Sequence, residues 1–198
     1  MNRWIGKVAV VTGASAGIGA AITIDLVNSG LIVVGLARRI ERVEELKNKI
    51  SATATGKLHA FKCDVANEED VKTAFAWIIK NVGGVDILIN NAGVFKSTTL
   101  LGPDNSIPIR EVIDTNVMGI VWCTREAFQS IKQRDVDGHI VIINSMSGHR
   151  IPSTGGTISS FNIYPASKHA VTAITEVLRQ ELQTAGTKKT KITVGLNE

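Results

Sequence analysis

The stretch KVAVVTGASAGIGAAITIDLVNSG, residues 7–30, joins a β-branched run, a glycine-rich loop and a helical pattern without a break. Residues 7–12 predict a buried strand that ends at Gly13, and residues 17–30 predict a helix that Gly30 closes. Such a loop allows a tight turn, lets the backbone approach a phosphate, and leaves free N–H groups at the helix start. The spacing is G-x-x-x-G-x-G rather than G-x-G-x-x-G, so taken alone it is also compatible with simple turn chemistry.

The rest of the chain continues this alternation of strands and helices. Further strands are predicted at 31–37, 57–63, 85–91, 138–145 and 191–195, and helices at 40–50, 68–81, 109–133 and 164–185. Asn67 and Asp70 resemble a capping box at the start of the third helix. Alternation of this kind predicts an α/β fold of the doubly wound, Rossmann type, with one parallel sheet in a single domain over residues 1–198. Ligands bind such sheets at the carboxyl ends of the strands, so functional residues are expected directly after strands.

Composition excludes several classes of function. A hydrophobic content of 44% and a charged content of 20% are ordinary for a globular domain. The net charge of +4 comes from scattered basic residues, apart from KKTK at 188–191, so no nucleic-acid partner is expected. No apolar run is long enough for a membrane span and the N-terminus does not resemble a signal peptide, which favours a cytoplasmic protein. Cys63 and Cys123 are expected to be buried free thiols rather than a disulfide, and no metal site is expected.

Tyr164, the only tyrosine of the chain, precedes Lys168 by four residues at a helix start marked by Pro165. Residues four apart lie on one helix face, so the phenol and the ammonium group should be neighbours. A free phenol ionises near pH 10, and a nearby cation favours the phenolate, so the pair could form a general acid/base. The alternative is a tyrosine packed at a helix end beside a solvated lysine.

The end of the second predicted strand points to a particular cofactor. Sites for NAD usually place Asp or Glu there to bind the ribose 2′-hydroxyl, whereas an Arg accommodates the 2′-phosphate of NADP. In this chain Ala37 occupies the expected acidic position, and Arg38 and Arg39 follow it. Two cations at a helix start are electrostatically unfavourable, which argues for a functional reason rather than solvated charge. NADP(H) is therefore the predicted cofactor.

Five motifs together resemble the short-chain dehydrogenase/reductase superfamily: TGASAGIG (12–19), NNAG (90–93), the Asn of DTNVMG, the first Ser of SMSG, and YPASK (164–168). They stand in the family's order and cover the chain from Lys7 to about Val194. Within the family, VVGLARR, IREVIDTNVMGI and YPASKHAVTAITE look most like insect farnesol-dehydrogenase-like reductases. Those are similar to the vertebrate group named dehydrogenase/reductase member eleven, which handles keto-steroids and other carbonyls.

The resemblance implies an oxidoreductase that interconverts alcohols and carbonyls by hydride transfer with NADP. Tyr164 would move the proton and Lys168 would assist it and hold the nicotinamide ribose. Ser145, preferred over Ser147, would bind the substrate oxygen, and Asn116, at a helix irregularity, would support a water. Asp64, rather than serving as a helix cap, would accept a hydrogen bond from the adenine amino group. The backbone N–H of Val65 would donate nearby. The implied cofactor contacts are Thr12, Gly13, Ser15, Gly17, Ile18, Gly19, Arg38, Arg39, Asp64, Val65, Asn91, Ala92, Gly93, Tyr164 and Lys168.

Two departures from the family affect these expectations. The loop from 148 to 162 is longer than usual, with PSTGGTISS resembling an insertion beside the substrate pocket. In the family the sixth strand continues into a Pro-Gly motif, a lid and a seventh strand, whereas this sequence reads KITVGLNE to residue 198. The expectation is a domain truncated at its C-terminus. The alternatives are a catalytically impaired relative that keeps nucleotide binding, or an interaction protein that uses its long helices.

The expected partners are a small alcohol or carbonyl and a second copy of the chain. Helices 109–133 and 164–185 carry more apolar surface than one sheet face can cover, and in the family such helices pair across a two-fold axis. A homodimer or homotetramer is therefore expected.

Overall fold

A computed structural model describes residues 2–151, 161–185 and 189–197. Its sheet consists of β1 (Val8–Thr12), β2 (Ile32–Ala37), β3 (Lys57–Lys62), β4 (Ile87–Asn90), β5 (Gly138–Ser145) and β6 (Thr190–Asn197). The strand order is β3-β2-β1-β4-β5-β6, and every neighbouring pair is parallel. The predicted doubly wound Rossmann-type fold is confirmed. The direction of winding reverses between β1 and β4, and a ligand is expected at that point.

The helices are α1 (Gly17–Asn28), α2 (Ile40–Glu44), α3 (Glu68–Val82), α4 (Ser106–Ile113), α5 (Gly119–Arg134) and α6 (Tyr164–Thr184). A π-helical segment, Asp114–Met118, joins α4 to α5. Short 3-10 turns follow α2 at Glu45–Lys49 and β5 at Met146–Gly148.

Both faces of the sheet are covered, which is why the strands read as nearly continuous apolar runs. Val8 and Val10 of β1 face a core formed with α3, α5 and α6, whereas Ala9 and Val11 face a second core formed with α1 and α2. The two cysteines are buried free thiols, as predicted. Cys63 lies at 2% exposure, and burial, with the nearby carboxylates of Asp70 and Asp64 adding to it, raises the pKa of its thiol to about 12.

Three details differ from the sequence prediction. The helix expected over 109–133 begins at Ser106, and the π-helical segment that interrupts it is the irregularity expected at Asn116. The helix expected over 40–50 tightens into a 3-10 turn after Glu44. The Asn67 side chain caps α3 by accepting hydrogen bonds from the N–H groups of Glu69 and Asp70. The Asp70 carboxylate accepts a hydrogen bond from the Asp64 N–H and not from the Asn67 N–H. The Asn67 N–H already donates to the Asp64 carbonyl, so a reciprocal capping box does not form.

None of the described helices is long and apolar enough to cross a membrane. Of the long loop predicted from 148 to 162, residues 152–160 lie outside the described part of the chain.

Candidate functional site

The glycine loop packs directly against the loop that follows β4. Gly13 and Gly17 have φ angles of 67° and 55°, in the left-handed region that favours glycine. A Cβ atom on Gly13 would lie 2.9 Å from the Ala92 Cα, and one on Gly19 would lie 2.5 Å from the Gly13 carbonyl oxygen. Gly13 and Gly19 are therefore required for close approach of backbone to backbone, whereas Gly17 is favoured by its left-handed backbone alone.

The Thr12 side chain joins the ends of β1 and β4 through hydrogen bonds. Its Oγ1 accepts from the N–H groups of Asn91 and Ala92, at 3.0 Å each, and donates to the Ile89 carbonyl at 3.3 Å. The Asn91 Nδ2 returns a bond of 2.9 Å to the Thr12 carbonyl. These bonds hold the two loops in a fixed relation where the winding of the sheet reverses.

A cleft of about 410 Å³ opens at this end of the sheet. Eleven of the residues predicted to contact a cofactor line it: Gly13, Ser15, Gly17, Ile18, Arg38, Arg39, Asp64, Val65, Asn91, Ala92 and Gly93. Thr12 and Gly19 brace its wall instead, and Tyr164 and Lys168 do not line it. The lining also includes Ala37, which stands at the expected acidic position, and five residues to which the sequence gave no cofactor role: Ala16, Leu36, Cys63, Val94 and Thr115. Leu36, Ala37 and Cys63 lie at strand ends, where ligand-binding residues are expected. That position could have identified Leu36 and Cys63 from the sequence.

The lining of this cleft fits a phosphorylated dinucleotide. Ala16 precedes α1 and cannot cap it with a side chain, so the first N–H groups of the helix remain available to an anion. A Cβ on Gly17 would meet nothing within 4 Å, which leaves open space beside those groups. Arg38 and Arg39 are exposed at the end of β2 and form no ion pair within the described residues. Asp64 is half-buried, and its Oδ1 accepts from the Ala66 N–H at 3.1 Å.

Asn116 lies in the π-helical segment and is almost fully buried. Its Oδ1 accepts from the Val94 N–H at 2.8 Å, and its Nδ2 donates to the Val94 carbonyl at 3.0 Å. The same Nδ2 donates to the Ser167 Oγ at 3.2 Å, and that hydroxyl donates to the Tyr164 carbonyl at 2.7 Å. Asn116 thus connects the loop after β4 with the start of α6. The helix irregularity expected here is present, whereas Ser167, inside the YPASK motif, was not predicted to take part.

Lys168 is buried, at 7% exposure, and its Nζ lies 5.8 Å from the centre of the Tyr164 ring. The Nζ also donates to the Ile143 carbonyl at 3.0 Å, which directs the side chain toward the end of β5. Burial lowers the pKa of Lys168 from 10.5 to about 8. The alternative of a solvated lysine is therefore wrong, because the ammonium group is shielded from solvent beside the phenol.

Ser145 ends β5 two residues after the carbonyl that holds Lys168. It is half-buried, and its Oγ accepts from the Ser147 N–H at 3.1 Å. Ser147 is buried in the following 3-10 turn. That turn packs closely on α6, since a Cβ on Gly148 would lie 2.7 Å from the Lys168 carbonyl oxygen. Of the two serines, Ser145 is the more accessible.

The site thus has two regions. A cleft with a glycine-lined anion site and two arginines lies at the ends of β1, β2 and β4. A phenol, a buried ammonium group and a hydroxyl lie at the end of β5 and the start of α6, and Asn116 links the two regions through Val94. The residues described contain no group of three or more His, Cys, Asp and Glu side chains that could hold a metal ion.

The sequence matches known proteins over nearly its whole length. The sequence profile of the short chain dehydrogenase family matches residues 7–197. A farnesol dehydrogenase of Aedes aegypti is 59% identical over 198 residues, covering 99% of this chain and 79% of that protein. Dehydrogenase/reductase SDR family member 11 of Mus musculus is 47% identical over 202 residues, covering 100% of this chain and 76% of that protein.

Solved structures share the fold over nearly the whole chain. A metagenomic short-chain oxidoreductase in complex with NADP superposes with a TM-score of 0.84 at 26% identity, covering 98% of this chain and 82% of that one. A short-chain dehydrogenase from Streptomyces avermitilis gives a TM-score of 0.80 at 28% identity, and the match covers 96% of this chain and 64% of that one.

Proposed function

Because the chain belongs to the short-chain dehydrogenase/reductase family, whose members are oxidoreductases that use NAD(P), we propose that it interconverts alcohols and carbonyls with NADP(H). The observation that carries the proposal is the buried Lys168 ammonium 5.8 Å from the centre of the Tyr164 ring, beside a cleft shaped for a dinucleotide. NADP(H), when bound, supplies or accepts the hydride.

Tyr164 and the side chains around it transfer the proton and bind the substrate oxygen. The Tyr164 hydroxyl gives a proton to the substrate oxygen in reduction and takes it in oxidation. Lys168 stabilises the phenolate by its charge and holds the hydroxyls of the nicotinamide ribose. Ser145 donates a hydrogen bond to the substrate oxygen as that oxygen gains negative charge. Asn116 keeps Val94 and the start of α6 in register and supports a water beside Lys168.

The cleft residues hold the adenosine half of the cofactor. The N–H groups at the start of α1, beyond Gly13 and Gly17, bind the pyrophosphate. Arg38 and Arg39 bind the 2′-phosphate with charge-assisted hydrogen bonds. Asp64 accepts from the adenine amino group, with Val65 beside it. The other contacts that we propose are Thr12, Ser15, Ile18, Gly19, Asn91, Ala92 and Gly93, which line or brace the same cleft.

The substrate that we propose is an isoprenoid alcohol such as farnesol, or a keto-steroid. The similarity to the mosquito farnesol dehydrogenase supports the isoprenoid alcohol. The steroid alternative rests on the more distant resemblance to dehydrogenase/reductase member 11.

Cofactor preference gives a direct test of the roles of Ala37 and Arg38. In the double variant Ala37→Asp with Arg38→Leu, the preference should move from NADP(H) toward NAD(H). Losing one charge-assisted bond to the phosphate costs about 1.5–3 kcal/mol, so the affinity for NADPH should fall roughly ten- to a hundredfold. Dissociation constants for NADPH and NADH, measured by calorimetry or by nicotinamide fluorescence, check the result.

Arg179→Leu is the control for that experiment, because Arg179 is also exposed, on α6, and pairs with Glu176 away from the cleft. It should leave both affinities unchanged. Equal affinity of the unsubstituted protein for NADPH and NADH would reject the assignment of Arg38.

A second copy of the chain is the partner that we propose for α5 and α6. An apolar groove of about 350 Å³ runs between these helices and is lined by Phe128, Leu178 and Leu182 among others. Val177, 52% exposed, stands one helical turn before Glu181 of the groove and so extends the same face. Contiguous apolar surface of this kind marks an interaction site more often than an isolated exposed side chain does.

Light scattering at micromolar concentration should therefore give the mass of a dimer or a tetramer. Val177→Arg should shift the equilibrium toward the monomer, because it places a charge in the contact. Lys80→Leu, at an exposed position of α3, provides the comparison and should leave the mass unaltered. A monomeric unsubstituted protein under these conditions would contradict the proposal.

A further inference from the structure

An aromatic cluster beside Tyr164 has no role in the chemistry described above. The ring of Phe95 lies edge-on to the Tyr164 ring, with centroids 5.5 Å apart and planes at 85°. The Phe161 ring lies 6.0 Å from the Phe95 ring at 67°. Neither phenylalanine belongs to a motif that positions the cofactor, so their placement beside the phenol calls for a separate explanation.

The backbone holds this cluster in place on both sides. Phe95 follows Val94, whose N–H and carbonyl are both bonded to the buried amide of Asn116. Phe161 accepts a hydrogen bond of 3.1 Å from the Tyr164 N–H, and its backbone forms a parallel bridge with Thr98. The loop after β4 and the start of α6 therefore meet at the cluster, and hydrogen bonds hold the backbone segments on either side of it.

Phe95 is nevertheless 48% exposed, so much of its apolar surface remains open to solvent. Met146 and Ile151, which follow β5 on the far side of Ser145, are also exposed. Apolar surface thus stands both after β4 and after β5, the two strand ends that flank the phenol. A ligand with an apolar body would remove this surface from water, whereas a small polar ligand would not.

We propose that Phe95, braced by Phe161, determines substrate specificity by packing against the apolar group attached to the reacting carbon. The site then takes alcohols or carbonyls that carry a bulky apolar substituent, and it selects among them by the area buried on the Phe95 ring. This inference rests on the proposed function and names the residue that recognises the substrate.

Two alcohols with the same reacting group test the inference. Farnesol and 3-methylbut-2-en-1-ol share an allylic carbinol and differ in the length of the apolar chain. Phe95→Ala should lower kcat/KM for farnesol about ten- to a hundredfold, which is the range for lost apolar contacts in a specificity pocket. For the short alcohol the loss should stay below about threefold, because that substrate makes little contact with the ring.

Two further variants separate substrate contact from a structural effect. Phe95→Leu keeps an apolar side chain and should retain selectivity for farnesol within about threefold of the unsubstituted protein. Phe61→Ala removes a half-buried phenylalanine that packs on Trp77 at the β3 edge of the sheet, and it should leave the ratio of the two kcat/KM values unchanged. Equal losses on both alcohols in Phe95→Ala, or a loss in Phe95→Leu as large as in Phe95→Ala, would overturn the inference.

Binding distinguishes this inference from the proposed function itself. Calorimetric titration of farnesol into the NADPH-saturated protein should give a dissociation constant that rises about tenfold in Phe95→Ala. A protein that binds farnesol in this way but does not oxidise it when oxidised NADP replaces NADPH would retain the inference and lose the proposed function. An unchanged dissociation constant in Phe95→Ala, or no binding of farnesol to the unsubstituted protein, would overturn the inference.

Discussion

Tyr164→Phe should lower turnover by about a hundredfold to ten-thousandfold, the range attributed to a positioned general acid or base. The variant lacks only the hydroxyl, and no other tyrosine in the chain can replace it. The ring is kept, so its edge-on contact with Phe95 and the backbone bonds to Phe161 and Ser167 persist. The fold and the cleft should therefore be unaffected.

Three measurements on this variant separate chemistry from binding. Steady-state turnover of farnesol with NADP should fall, whereas the dissociation constant for NADPH should stay within about threefold, because the hydroxyl serves proton transfer and not the adenosine half. The thermal midpoint should match that of the unsubstituted protein. Residual turnover above about one tenth of the original would show that another group transfers the proton.

Lys168→Met should remove turnover and, in the cofactor-free protein, raise stability at neutral pH. Burial lowers the pKa of Lys168 from 10.5 to about 8, so below pH 8 the native state carries a charge that the unfolded chain hydrates better. A depression of this size corresponds to about 3 kcal/mol of native-state destabilisation. Methionine leaves the Ile143 carbonyl without its donor, at a cost of roughly 1 kcal/mol. A net gain of about 1–2 kcal/mol is expected.

The pH dependence follows from the direction of that shift. Between about pH 8 and 10.5 the unfolded chain still binds the proton that the native Lys168 has released, so native stability rises with pH. Above about 10.5 both states are neutral and the penalty is gone. The stability advantage of Lys168→Met should therefore be full below pH 8 and disappear as pH rises to 10.5.

Chemical denaturation of both proteins at several pH values measures this difference. Lys80→Met, on an exposed position of α3, is the control and should give the same difference from the unsubstituted protein at every pH. Lower stability of Lys168→Met at pH 7 would mean that a partner stabilises the native ammonium group. In the same variant the affinity for NADPH should also fall, because Lys168 is proposed to hold the ribose.

Stability and catalysis thus make opposite demands on one side chain. A neutral residue at position 168 would suit the core, but the proposed reaction needs a cation beside the phenol. Such costs are common at functional sites and support a functional rather than a structural reason for a buried lysine.

Local sequence rules predicted the order of elements in this chain, and the reason is their short range. The strand–glycine–helix unit at residues 7–30, the periodicity of α3 and the Asn67 cap each depend on residues only a few positions apart. Strands alternating with helices then leave few ways to close a sheet, and parallel crossovers of one hand lead to the observed strand order. The family motifs at these strand ends added the expected site residues.

Long-range contacts decided what the sequence left open. No pattern indicated that the Asn116 amide holds both polar groups of Val94, 22 residues away, or that Ser167 links Asn116 to Tyr164. The resemblance predicted an irregularity at Asn116, and the structure shows that it takes the form of a π-helical segment. Spacing in YPASK placed Lys168 beside Tyr164, but only burial under the end of β5 makes the ammonium group dry and lowers its pKa. The aromatic contact between Phe95 and Tyr164 joins two segments that β4, β5 and α6 bring together. Residues so far apart in the sequence become neighbours only when the chain has folded.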